Sequence, residues 1–109
     1  MATRTKLSEL AADDLNEIMR YYCEELFIPQ AAANFHNNIL KQIGLIDDNP
    51  MMYPLHHDER LCAEGYRFVT IGRYLMFYIV SNDETHVDIA RIVYGGRDLT
   101  TLLENDGAK

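Results

Sequence analysis

The sequence predicts an α+β fold in which an N-terminal two-helix hairpin packs on a small, mainly antiparallel β-sheet, in the order β-α-α-β-β-β with a short C-terminal helix to close. Three observations predict it. Apolar residues in the first half recur at three- and four-residue intervals, the period of a helix. The second half holds three runs rich in β-branched and aromatic residues, separated by short polar turns. The 109 residues are 48% hydrophobic, enough for one core without a disulfide or metal staple. The whole chain, 1–109, reads as a single domain with a frayed tail at 105–109.

Each element has a local reason. Residues 4–7, although polar, read as a short strand joining the sheet. Ser8 follows as a helix N-cap, with Asp13 and Asp14 near the positive end of the helix dipole. From 11 to 26, Leu15, Ile18, Met19, Tyr22 and Leu26 form one face and Asp13, Asp14, Glu17, Glu24 and Glu25 fill the other. Cys23, beside Met19 and Tyr22, reads as a small buried thiol. Phe27 and Ile28 form the link, and Pro29 opens the second helix, where a missing N–H costs nothing. Ala32, Phe35, Ile39, Ile43 and Ile46 line its apolar face, and the cluster Asp47, Asp48, Asn49, Pro50 ends it. The strands follow at 66–71, 74–80 and 85–94, divided by Gly72-Arg73 and by residues 81–84. Residues 98–104 suit a short terminal helix.

Charge narrows the function classes. Ten Lys and Arg against 17 Asp and Glu give a net charge of −7 and argue against a general polyanion binder. The acidity is uneven, however: residues 1–64 carry five cations and 11 anions, whereas 65–109 carry five and six. Arg67, Arg73, Arg91 and Arg97 all lie in that nearly neutral half, where folding decides whether they converge. Two cysteines without a leader-like N-terminus suggest the cytoplasm, and no apolar run reaches the roughly 20 residues that span a bilayer.

The loop 50–64 holds His56, His57, Asp58 and Cys62, ligand types for zinc. Adjacent side chains diverge unless the loop folds back, and no second ligand pair stands at a recognised spacing, so a polar surface loop is expected and no metal or cofactor. Cys62 lacks an oriented base that would make it a nucleophile. His36 and His86 read as surface or strand-end residues. Arg67 shares a strand face with Val69 and Ile71, and Arg91 alternates with Ile89 and Val93. A cation on an apolar strand face must reach solvent, an ion pair or a ligand. For these arginines a salt bridge to Asp88, Glu64 or an acidic helix competes with a functional role. Tyr94-Gly95-Gly96-Arg97 has two glycines and a cation but not the spacing of a nucleotide loop.

In order, the segments AADDLNEIMRYYCEELFIPQAAANFHNNILKQIGLIDDNPMMYPL, GYRFVTIGRYLMFYIV and VDIARIVYGGRDL resemble the RelE/ParE superfamily of bacterial type II toxin–antitoxin toxins. The resemblance rests on Asp14-Leu15, on Ala32 and Phe35, on Pro50, on Arg67, on the stretch 74–78 and on the ending 91–98. It implies a growth-inhibiting, plasmid-stabilising toxin neutralised by direct binding of a cognate antitoxin in a hetero-oligomer. RelE-like members cut mRNA on the ribosome, and on that reading Arg67, Tyr94 and Arg97 are the catalytic candidates. ParE-like members poison DNA gyrase, and on that reading Arg67, Arg73, Arg91 and Arg97 bind target or antitoxin. Thr70 and Tyr94 stand where histidine-dependent nucleases of the superfamily place imidazoles, and residues 51–66 hold only Arg60 of a basic cluster. With the net charge, these departures favour the ParE-like branch; a degenerate, non-toxic antitoxin-binding module is the third reading.

Overall fold

The computed structural model describes residues 4–95, which leaves Arg97, the helix expected at 98–104 and the tail 105–109 outside it. Chain order is β1 (Arg4–Leu7), α1 (Glu9–Arg20), a π-helical turn (Tyr21–Glu25), α2 (Pro29–Asp48), the short α3 (Glu59–Ala63), β2 (Arg67–Ile71), β3 (Tyr74–Val80) and β4 (His86–Tyr94). The four strands form one sheet in the order β1-β4-β3-β2. β4 is antiparallel to β3 and β3 to β2, while β1 lies parallel to β4 on the outside. The expected fold class is therefore the observed one.

Local chemistry explains most boundaries. The Ser8 hydroxyl accepts from the Ala11 N–H at 3.0 Å and donates to the Ala90 carbonyl at 2.9 Å, so one side chain both caps α1 and ties it to β4. Pro29 occupies the first turn of α2 as expected, and Asn49 ends that helix. Gly72, at φ 61°, gives the β2–β3 hairpin a two-residue turn closed by the Ile71–Tyr74 pair. At the other end of β3 the Asp83 carboxylate organises the turn, accepting from the Ser81 hydroxyl and from the amide and hydroxyl of Thr85. Those three bonds hold its pKa down at about 2.

Two irregularities depart from the expected pattern. The first helix does not continue evenly to Leu26: the Leu26 N–H bonds back to the Tyr21 carbonyl, five residues away. The wider turn resets the helical phase. Tyr22 packs against the Phe35 ring, whereas Cys23, expected to be buried, is exposed, as is Leu26, expected on the apolar face. Phe27 then reverses the chain at φ 56°, 78% exposed. The second irregularity is a bulge in β4. Tyr78 faces Ile89 but Phe77 faces Arg91, so Ala90 is the extra residue. Ile89 consequently joins the core beneath the helices while Val93 joins the cluster on the other face, and the expected sharing of one face by Ile89, Arg91 and Val93 is broken.

The main core lies between the hairpin and the sheet. Ile18, Phe35, Ile39 and Ile46 meet Val69, Met76, Tyr78, Val87, Ile89 and Ile92. Full burial of an aliphatic side chain such as Ile39 or Ile46 stabilises by roughly 1.5–3 kcal/mol, which makes this layer the dominant support of the fold. A smaller cluster on the opposite face joins Leu61, Phe77 and Val93, with Tyr66, Phe68 and Leu75 at its border. Its cover is the segment expected to be a polar surface loop. Residues 50–64 leave α2, pass the edge of β2 through a Leu55–Arg67 bridge, and cross to the far face, where α3 seats Leu61 on Phe77. Covering an edge strand in this way removes a template for intermolecular pairing.

Candidate functional site

Of the four predicted cations, the three among the described residues divide into two that the fold engages and one that it displays. Arg91 is 9% exposed and ion-paired with Asp14 of α1, its Nε 2.7 Å and its terminal nitrogen 3.0 Å from the two carboxylate oxygens. Asp14 also accepts the Ile92 backbone N–H at 2.9 Å. The geometry follows from strand lengths. β1 pairs with residues 86–89 of β4; beyond Ile89 no described strand continues along that edge, and side chains of α1 and its cap take over. The ion pair with an acidic helix is thus the arrangement found for Arg91.

Arg67 is half-buried and donates to the Tyr53 carbonyl at 2.6 Å. Beside it, the buried Tyr78 hydroxyl donates to the Pro50 carbonyl at 3.0 Å, and Tyr53 in turn is hydrogen-bonded to Gln42 of α2. Burial pushes the Tyr78 phenol above its ordinary value, with Arg67 acting the other way. Together these bonds pin residues 50–53 against the sheet.

Arg73 is exposed at the tip of the β2–β3 hairpin, and its carbonyl accepts from the Gly95 N–H. Next to it Tyr94, 45% exposed, sets its ring edge-on to Tyr74 at 6.0 Å. A wide open groove runs from this end of the sheet to the helical hairpin. Tyr21, Tyr22, Tyr74 and Tyr94 line it, with Arg20, Arg73, Asp14, Glu17, Glu24 and Glu25 as its charges. The tyrosine lining went unnoticed in the sequence, because the four rings come from three separate elements. Their signal was present only as a count of seven tyrosines in 109 residues.

Arg67 and Tyr94 are not brought together. Arg67 pairs with Tyr78 and Tyr94 with Tyr74, four residues apart on β3, an offset of about 13 Å along the strand. His56 and His57, expected to diverge, instead stack at 4.2 Å because the segment 50–64 folds back on the sheet. Among the described residues no group of three His, Cys, Asp or Glu side chains converges as a metal site would require. Nor is any helix among them long and apolar enough to cross a membrane.

This helical hairpin on a four-stranded sheet is the architecture of the RelE/ParE toxin superfamily. A chain of a chromosomal ParDE toxin–antitoxin system from P. aeruginosa superposes with a TM-score of 0.66 at 21% identity, over 85% of this chain and 96% of that one. A chain of the RelBE2 toxin–antitoxin complex from Mycobacterium tuberculosis gives 0.53 at 20% identity, over 86% and 99%. The sequence profile of the ParE toxin of type II toxin–antitoxin systems matches residues 5–99, and the chain belongs to that family. Individually curated proteins provide no significant match.

Proposed function

We propose that this ParE-type toxin arrests growth by binding and poisoning DNA gyrase, and that a cognate antitoxin neutralises it by occupying the tyrosine-lined groove. The observation that carries the choice of target is the engagement of Arg67. Its guanidinium holds the Tyr53 carbonyl, and it sits at the opposite end of the sheet from Tyr94. A ribonuclease site needs cations and an acid–base group converging on one phosphate, and this pair does not supply that convergence. The net charge of −7 adds repulsion toward the dense phosphate of a ribosome, and a protein surface does not impose that phosphate density.

The groove supports the binding role. The exposed Tyr21 and Tyr94, set beside the half-buried Tyr22 and Tyr74, give contact area for little conformational entropy, and Arg73 offers a cation at the rim; Tyr and Arg are residue types enriched among those that dominate interface energetics. The acidic wall formed by Glu17, Glu24 and Glu25 favours a partner segment carrying cations among apolar residues.

Purified chain added to gyrase supercoiling reactions tests the target. Inhibition is expected, with filamentation and DNA damage signalling on induction in cells without antitoxin. Ribosome-dependent mRNA cleavage with unimpaired supercoiling would reverse the reading, and unimpaired growth with antitoxin binding retained would mark a degenerate toxin. Tyr94→Ala should weaken antitoxin binding by at least tenfold, measured by calorimetry, with thermal stability little changed.

A further inference from the structure

We propose that His56 and His57 form a proton-operated latch that holds the strap, residues 55–64 including α3, on the outer face of the sheet. His56 is 7% exposed and its ring lies against Phe68 and Phe77, at 4.9 and 5.5 Å between centroids. Its Nδ1 accepts the Asp58 backbone N–H at 3.0 Å. That bond requires a lone pair on Nδ1, so the ring is neutral with its proton on Nε2. The His57 ring stacks on it at 4.2 Å, a geometry that two imidazolium ions would oppose.

The bond reaches further than one ring. Asp58 is the N-cap of α3, its carboxylate accepting from the Arg60 and Leu61 N–H groups. α3 in turn places Leu61, 1% exposed, on Phe77 and Val93. Backbone bonds from His56 to the Tyr66 carbonyl and from Tyr66 to the Leu61 carbonyl close the strap at both ends. Protonating His56 removes the acceptor from the Asp58 N–H and places a charge where burial excludes water. Each change loosens the same segment, and its release uncovers the Leu61–Phe77–Val93 cluster.

Among the described residues, two charged or titratable groups act on His56 besides its burial. Burial and then His57 lower its proton affinity, while the Asp58 carboxylate raises it by less. β2 and β3 contribute Phe68 and Phe77, which do not ionise, and Arg91, the cross-strand neighbour of Phe77, turns to Asp14. The folded-state pKa therefore lies below 6.5, and the strap is fully held above that pH. As pH falls from 6.5 toward the folded value, the opening equilibrium rises by up to about tenfold per unit.

Histidine-ring NMR titration and amide exchange protection of the whole chain, between about pH 7.5 and 5, read this directly. His56 should titrate below 6.5, and protection at Cys62, Glu64 and Tyr66 should fall on acidification while the β3–β4 pairs stay protected. His56→Phe should flatten that dependence. His57→Gln should move the His56 midpoint upward by removing the repulsion, with the strap still closed at neutral pH. A His56 midpoint at or above 6.5, strap protection constant across the range, or an unshifted midpoint in His57→Gln would overturn the proposal.

Discussion

Asp14 shows how much one carboxylate holds in this fold: two contacts to Arg91 and the Ile92 N–H, all through one side chain. Asp14→Ala should cost about 3 kcal/mol in urea unfolding, since it leaves a nearly buried guanidinium and a backbone donor unpaired. Asp14→Leu with Arg91→Met should cost less than either change alone, because no charge is then stranded. Tyr78 adds a pH dependence of opposite direction to the histidine latch. Its phenol is pushed up by burial, so its contribution is complete below pH 10 and is lost as pH rises through its higher folded-state value. Tyr78→Phe should cost about 1–2 kcal/mol, the penalty for leaving the Pro50 carbonyl unsatisfied, and should flatten the alkaline limb of a stability–pH profile. Neither partnership was legible beforehand. Asp14 and Arg91 are 77 positions apart, so an acidic helix was an expected partner class but nothing in the sequence singled out the pair.

At the scale of elements, caps and turn residues were readable because their chemistry is local. Ser8, Pro29 and Gly72 each stand where the sequence places a boundary. The strands at 67–71, 74–80 and 86–94 differ from expectation by at most one residue at an end. What escaped was phase. A π-helical turn after Arg20 and a bulge at Ala90 each insert one residue into a regular repeat, and everything downstream rotates or changes face. The link after the turn is strained as well, since a left-handed aromatic residue costs about 1–2 kcal/mol relative to glycine. Phe27→Gly should accordingly raise stability by about 1 kcal/mol in thermal or urea melts, because its ring is 78% exposed and contributes little packing. Ser8→Ala should lower it by about 1–2 kcal/mol through loss of the cap and of the tie to Ala90.

The whole molecule joins an acidic helical half to a nearly neutral sheet half, and the fold brings Asp14, Glu17, Glu24 and Glu25 of that acidic half to the groove. Self-repulsion among 17 carboxylates opposed by ten cations predicts that thermal stability rises when salt is increased at neutral pH. A fall with salt would mean that surface ion pairs outweigh the repulsion. The architecture was legible as a layer on a layer, because a hairpin with one apolar stripe requires a sheet to cover it. The groove was less so: it depends on where Tyr21, Tyr22, Tyr74 and Tyr94 meet, which no local pattern records.

The sheet order carries a consequence for synthesis of the protein. β4, the last described strand, sits between β3 and β1 and is, among the described residues, the one strand that pairs with β1. During translation, residues 4–7 must therefore wait until residues 86–94 have left the ribosome before they can pair, and the β4 face of the helical core is missing until the same moment. A nascent chain that has completed only the hairpin lacks Ile92, Val93 and Tyr94, and with them one side of the groove. The topology thus delays assembly of the groove until β4 has been made, so that a chain without β4 cannot present it.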